Sequence, residues 1–201
     1  MIDENILWSD HVDYLCRKVF AGLAMLRRVK PYVDDISLKL LYTCLIQSQI
    51  DYCCEIWGNR FLSHIDKITK LQKRAARMIL NCNMYTPSKE LFTRMKWIPF
   101  QERVKYFRCI FVFKCLNDLS SDFHKDVFQE VSTQHNFYTR QCTRHDLIID
   151  KCHTEYLKNA ISYDGASLWN KLPSNIKQIS NVKTFKLALK KYFFHLAVEL
   201  G

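Results

Sequence analysis

Glycine and proline are scarce in this chain of 201 residues, which contains only 4 of each. Globular proteins average about 7% Gly and about 5% Pro. Because both residues interrupt regular structure, their scarcity favours long helices over sheet architectures with many turns. The apolar share of 48% suits one ordinary globular domain or two small ones, with a core that requires neither a metal nor a disulfide.

Long apolar runs are also missing. The longest strictly apolar run covers residues 109–113 and is far shorter than the roughly 20 residues that cross a bilayer. The first residues, MIDENILWSD, show neither the basic start nor the apolar stretch of a signal peptide. Most of the 9 cysteines occupy apolar helical positions, where free Cys acts as a small core residue. We expect a reduced, intracellular protein of the nucleus or cytoplasm, with no membrane partner.

Catalytic signatures are absent as well: there is no Gly-rich phosphate loop, no Ser-His-Asp signature and no cofactor motif. Tyr32-Val33-Asp34-Asp35 matches the Tyr-x-Asp-Asp motif with which some polymerases hold two metal ions. That chemistry needs flanking β-strands and a third carboxylate, whereas both flanks here have helical periodicity. Helix capping explains Asp34 and Asp35 better. We expect no catalytic residues and no cofactor.

A zinc site is the other metal hypothesis, based on Cys142, His145, Cys152 and His153. Zinc ligands usually come in pairs two to four residues apart. Cys142 and His145 meet this spacing, but Cys152 and His153 are adjacent and could hardly both reach one tetrahedral ion. We expect no metal here.

Apolar residues recur at spacings of three and four along most of the chain, which predicts helices that bury one face. The pattern predicts a helix that begins at Ser9 and ends before Pro31 in the cations Arg27, Arg28 and Lys30, which suit a helix C-terminus. It predicts further helices from Asp34 or Asp35 toward Trp57, and through the segment that ends at Leu80. Near residues 130–151, short aromatic or β-branched segments predict a small β-hairpin or an extended loop. We therefore expect a mainly α-helical fold in three parts: a three-helix bundle (1–82), linking helices packed on the bundle (83–128), and a C-terminal region with the loop or hairpin and two helices (129–201).

The excess of positive charge is the most informative property of this sequence. The chain has 30 Lys and Arg against 20 Asp and Glu, a net charge of +10, which fits a polyanionic partner. Five cations share one face of the third predicted helix, offset there only by Asp66: Lys67, Lys70, Lys73, Arg74 and Arg77. Such a row, here called the basic stripe, suits a phosphate backbone that is recognised by charge rather than by base. The alternative is an ordinary solvated helix face.

The same region carries a resemblance. Residues 50–58 read IDYCCEIWG and residues 71–77 read LQKRAAR. These two segments resemble the region after the polymerase core in non-LTR (LINE-type, jockey-like) retrotransposon polyproteins. In that family an Asp-Tyr-Cys run ends in Trp-Gly, and a Leu-Gln-x-Arg-Ala-x-Arg helix follows. Shorter similarities occur in the same order as in that family at residues 7–11, 86–88, 113–117, 162–163 and 165–173.

The resemblance implies that residues 1–82 are a thumb, which in this family grips the template-primer duplex, followed by the family's helical C-terminal region. Endonuclease, fingers and palm would be absent. The implied partners are the RNA or DNA duplex backbone and, in a full-length parent, the polymerase palm. Two alternatives stay open: a helical protein-interaction module on the same scaffold, and an inactive translated remnant.

Overall fold

The structure is a computed structural model that describes residues 7–58, 61–133 and 144–199. This part of the chain is mainly α-helical and contains no β-strand, which confirms the predicted fold class. The helices are α1 (Ser9–Val29), α2 (Asp35–Tyr42), α3 (Ser48–Asp51), α4 (Cys54–Trp57), α5 (Leu62–Leu80), α6 (Ser88–Met95), α7 (Phe100–Leu116), α8 (Glu155–Asn159), α9 (Ile161–Asn170), α10 (Ser174–Lys177) and α11 (Val182–Glu199). A π-helical turn covers Thr43–Gln47, and 3₁₀ turns cover Lys30–Tyr32, Asp122–Val127 and Val131–Thr133.

Backbone proximity divides the chain into two compact units, Met1–Glu102 with Phe194–Gly201, and Arg103–Phe193. The sequence instead predicts three parts, with boundaries after residues 82 and 128. Compactness does not by itself measure which segments fold on their own, so the three-part division stays a prediction.

In the first unit, α1, α2 and α5 pack against one another. Apolar residues at spacings of three and four form the core, as periodicity predicts; from α1 and α5 they include Val12, Leu15, Val19, Leu23, Leu26, Ile65, Ile68, Leu71 and Ile79. Side chains of α1 and α5 meet at an almost constant offset of 54 or 55 residues. The two helices therefore run in the same direction, and their C-terminal ends lie at the same end of the bundle.

The second predicted helix breaks before Trp57, so the prediction of one helix running toward Trp57 is wrong. The π-helical turn follows α2, and the chain leaves helical geometry at Tyr52 (ψ 111°) and Cys53 (φ 49°). The break turns Cys54 and Trp57 into the core, and Trp57 Nε1 donates a hydrogen bond to the Tyr52 carbonyl at 2.9 Å. Burial of a Trp thus outweighs the strain of a left-handed Cys.

Gln72 joins α5 to the start of α7 within the first unit. Its side chain is fully buried, and its Oε1 accepts a hydrogen bond from the Phe100 amide at 2.8 Å. The first amides of a helix have no intrahelical acceptor, so a buried side-chain acceptor at this place stabilises the helix start. Helical periodicity places Gln72 beside Leu71 and Ala75 but does not indicate this bond.

The second unit has its own aromatic core. The rings of Phe113 and Phe185 stack with 4.1 Å between centroids, and Cys109 and Val112 are fully buried. Two cationic side chains are also buried: Arg108 pairs with Asp164, and Lys177 pairs with Asp146, which is buried too. The segment 109–113 is thus largely buried, as its uniformly apolar sequence predicts.

The loop region and the C-terminal helices differ in detail from the prediction. Among the described residues near 130–151, the only β-structure is one antiparallel bridge between Glu130 and Leu147; residues 134–143 lie outside the described part. The C-terminal region contains α8, α9, α10 and α11 where two helices are predicted. Ala160 is extended (ψ 146°) and separates α8 from α9, a break that neither Gly nor Pro announces.

Candidate nucleic-acid interface

The basic stripe lies on the side of α5 that faces away from its buried residues. Lys67, Lys70 and Arg74 are exposed, whereas Lys73 and Arg77 are half-buried. The apolar positions of α5 point into the bundle, so these cations do not take part in the core. From Lys67 to Arg77, ten positions further along the helix, the axis rises about 15 Å.

Lys67, at the N-terminal end of the stripe, is paired. Its Nζ donates a hydrogen bond to Asp13 Oδ1 on α1 at 2.8 Å, and both side chains are more than half exposed. This hydrogen bond lowers the pKa of Asp13 and raises the pKa of Lys67, because it stabilises the charged form of each. The charge of Lys67 is therefore largely offset in the free protein.

The middle of the stripe keeps its charge. Lys70 and Lys73 make no hydrogen bond or ion pair within the described part of the chain. Arg74 lies over the ring of Phe20 from α1, with 5.6 Å between the guanidinium carbon and the ring centroid. A guanidinium on an aromatic face keeps its full charge and its donors.

The C-terminal end of the stripe opens into a groove between α1 and α5. Its volume is about 610 Å³, and it is here called the basic groove; its cations are Arg27, Arg28, Lys30, Arg74 and Arg77. No acidic side chain from residues 7–58, 61–133 or 144–199 lines it. Its walls also carry the apolar side chains of Phe20, Leu23, Ala24 and Met78.

Sequence patterns do not identify three of these cations as ligand-binding residues. The sequence predicts only that Arg27, Arg28 and Lys30 are favourable charges at the end of a helix, and no local signal separates that role from ligand binding. The parallel arrangement of α1 and α5 brings them beside Arg74 and Arg77. Knowledge of the helix pairing alone would have identified the cluster.

Lys30 has a structural role in this groove. Its Nζ donates hydrogen bonds to the Met78 carbonyl at 2.7 Å and to Asn81 Oδ1 at 3.1 Å, so it caps the C-terminal end of α5.

Arg77 uses one donor, Nη2, toward the Thr86 carbonyl at 3.3 Å. A guanidinium has five N–H donors; because the Nε of Arg77 is buried, its remaining Nη donors are the ones that can bind an anion.

The basic groove holds more positive charge than is needed to offset the partial negative charges at the C-terminal ends of α1 and α5. Each helix C-terminus carries roughly half a negative charge. The ends of α1 and α5 together offset about one positive charge, whereas five cations line the groove. The remainder is available to an external anion.

The tetrapeptide Tyr32–Asp35 has the capping role expected of it. Tyr32 ends a 3₁₀ turn, Asp34 is the N-cap of α2, and Asp35 is its first residue. Asp34 Oδ1 accepts a hydrogen bond from the Ser37 amide at 2.9 Å. Hydrogen bonds from the side chain and backbone of Ser37 lower the pKa of Asp34.

The candidate zinc ligands are only partly described. Cys142 lies outside the described residues, and His145 Nδ1 lies 3.6 Å from Glu130 Oε2. Among the described residues, no group of three or more His, Cys, Asp or Glu side chains is placed to hold a metal ion.

Within residues 7–58, 61–133 and 144–199, no helix is both long and apolar enough to cross a membrane. Comparison of the chain with models of known protein families, with curated proteins and with solved structures found no match.

Proposed function

We propose that this chain is the thumb and C-terminal part of a non-LTR retrotransposon reverse transcriptase, and that it binds the template-primer backbone without catalytic activity of its own. The basic stripe on the solvent side of α5 is the observation that supports the binding function. The family assignment rests on the sequence resemblance alone.

Binding by the stripe would depend on charge and not on base sequence. Cations about one helical turn apart along α5 can neutralise neighbouring phosphates, which releases condensed counterions. Lys70 and Lys73 make no ion pair within the described part of the chain, so they need not break one to bind. Lys67 would have to exchange Asp13 for a phosphate.

Polymerase activity is not part of this proposal. A two-metal mechanism needs carboxylates that converge on both ions. Asp34 and Asp35 occupy the start of a helix, and the Asp34 carboxylate binds the Ser37 amide. We expect no primer extension with Mg²⁺ or Mn²⁺. Extension that Asp34→Ala abolishes would contradict this.

The binding test compares two variants of equal charge. The first carries Lys67→Glu, Lys70→Glu and Lys73→Glu on α5. The control carries Lys183→Glu, Lys186→Glu and Lys190→Glu, which are exposed positions on α11. Fluorescence anisotropy with a blunt duplex at several salt concentrations gives both affinity and salt dependence, and circular dichroism checks that helicity is retained.

We expect the stripe variant to bind the duplex far more weakly, and its salt slope to fall by roughly 0.9 for each phosphate that the variant no longer neutralises. The control should be weakened less, because only general charge attraction changes. An equal effect in both variants would show that net charge alone explains binding. No binding by the parent chain would favour the inactive remnant.

A protein-interaction module is a second candidate, favoured by an exposed apolar row. Ile36 and Leu40 lie one turn apart on α2, and their exposed fractions are 77% and 65%. Such a row is typical of a helix that docks on a partner. The partner would be the polymerase palm of a full-length parent. Ile36→Gln with Leu40→Gln should abolish binding to a purified palm and leave duplex binding unchanged.

A further inference from the structure

The basic groove contains more than a phosphate backbone requires. A backbone is recognised by cations alone, yet this groove also has an aromatic ring and apolar walls from α1 and α5. Its volume of about 610 Å³ lies within the range of small-ligand sites. It has room for a nucleotide but not for a double helix.

Phe20 is the natural stacking surface. Its side chain is 48% exposed although it lies on a helix that packs into the bundle core. Arg74 covers part of the ring without an acidic partner among the described residues. Proteins that bind single strands combine these elements, with bases stacked on aromatic rings and guanidinium planes, and with cations along the backbone.

Arg27 and Arg28 complete the arrangement at the end of α1. Both are exposed, and neither makes an ion pair or hydrogen bond with the described residues. Together with the unused donors of Arg77, they can hold the phosphate attached to a base that stacks on Phe20.

We propose that the basic groove binds one unpaired nucleotide, with its base on Phe20 and Arg74 and its phosphate on Arg27, Arg28 and Arg77. The proposal rests on the proposed nucleic-acid function and extends it, because the groove lies at the C-terminal end of the stripe. A duplex along α5 would then place a single-stranded overhang in the groove. Neither sequence nor sugar is discriminated, since stacking and phosphate binding are common to DNA and RNA.

The test uses overhangs that differ only in the base. A blunt duplex, the same duplex with a short overhang, and the same overhang with abasic sites are titrated by anisotropy. The matched single strands, with and without abasic sites, are titrated alone. We expect the intact overhang to bind roughly 5- to 150-fold more tightly than the abasic overhang, the range for stacking of one base.

Two variants locate the effect. Phe20→Leu keeps an apolar side chain and removes the ring face, so it should abolish the preference for the intact overhang. Tyr14→Leu is the matched control, because Tyr14 lies on the same helix, is 46% exposed, and carries Lys18 at 4.8 Å from its ring centroid. It should leave the preference unchanged. Arg27→Gln should weaken intact and abasic overhangs equally.

The outcomes separate this proposal from the proposed function. Binding of the blunt duplex tests the stripe, whereas the ratio of intact to abasic affinity tests the groove. Equal affinity for intact and abasic strands, in duplex overhangs and in free single strands, would overturn the groove proposal whether or not the duplex binds. A preference for the intact overhang that survives Phe20→Leu would also overturn it, whatever the effect of Tyr14→Leu.

Discussion

The ammonium of Lys67 on α5 donates a hydrogen bond to the carboxylate of Asp13 on α1, with 2.8 Å between Nζ and Oδ1. This pair joins two parallel helices on their exposed side, and it places a negative charge beside one end of the basic stripe. Surface pairs of this kind add little to stability. The main effect of the Lys67–Asp13 pair is therefore on how readily Lys67 binds an anion.

We expect Asp13→Asn to strengthen duplex binding. Removal of the carboxylate frees Lys67 for a phosphate, so the salt slope should steepen by about 0.9. Anisotropy titrations at several salt concentrations measure this. Asp10→Asn is the control, because it changes the net charge equally from an exposed position on the same helix. Identical effects of the two substitutions would mean that Lys67 does not touch the duplex.

The N-cap of α2 predicts a pH dependence of stability. The pKa of Asp34 is lowered in the folded protein by its hydrogen bonds with Ser37. The unfolded chain therefore binds the proton more tightly than the folded protein, and the contribution of the cap is complete above the unfolded pKa near 4. It is lost as the pH falls through the lower, folded value.

Asp34→Asn keeps an acceptor for Ser37 at every pH and loses this titration. Thermal melts between neutral pH and about pH 3 should therefore show the melting temperatures of parent and variant converging as the pH falls. Asp34→Ala should melt lower than both at neutral pH. A parallel decline of the melting temperatures of the parent and Asp34→Asn as the pH falls would show that the Asp34 carboxylate does not act as the cap.

Gly22 allows α1 to approach the π-helical turn closely. A Cβ at this position would lie 2.7 Å from Ile46 Cγ1, a side chain that is fully buried. Gly22→Ala would gain about 1 kcal/mol of helix propensity but cost about 1–3 kcal/mol through overpacking. We expect a net decrease of about 1 kcal/mol in the free energy of unfolding, measured by urea denaturation. The control is Ala21→Gly, at an exposed position on the same helix, which measures the contribution of helix propensity to the free energy of unfolding. If Gly22→Ala is more stable than the parent, Ile46 moves aside at no cost and the expected overpacking is absent.

Removal of one partner of the Arg108–Asp164 pair should strongly destabilise the second unit. The Arg108 side chain is only 2% exposed, and its guanidinium also donates to the Asn159 carbonyl at 3.2 Å. Asp164→Asn leaves a buried cation without its carboxylate, so we expect a decrease of about 3 kcal/mol in unfolding free energy. The double variant Arg108→Met with Asp164→Leu should recover most of it. Glu155→Gln, at the exposed pair with Lys158, should have far less effect.

Much of the helical framework is predictable from local sequence. The bounds of α7 follow from Pro99 and the apolar run, and α11 begins at Val182 as its periodicity predicts. Local rules fail where tertiary packing overrides propensity. The break at Tyr52 and Cys53 has no Gly or Pro to mark it, because burial of Trp57 and not backbone preference causes it.

The candidate site divides in the same way. Residues on one helix share a face by periodicity alone, so the members of the basic stripe could be named from their spacing. The contacts and burial of each member could not be predicted from that spacing: Lys67 is paired with Asp13, Arg74 lies over the ring of Phe20, and Arg77 is half-buried. The pairing of Lys67 and the stacking of Arg74 join residues more than fifty positions apart, which spacing does not encode.

The sequence by itself determined a mainly α-helical chain with a row of cations on α5, because helical periodicity and charge spacing are local properties. Only the tertiary structure decided that α1 and α5 run in parallel and bring their basic C-terminal ends together. That choice depends on how the buried faces of α1 and α5 pack against each other in three dimensions. It converts two separate helix ends, each with an ordinary capping explanation, into one groove with five cations.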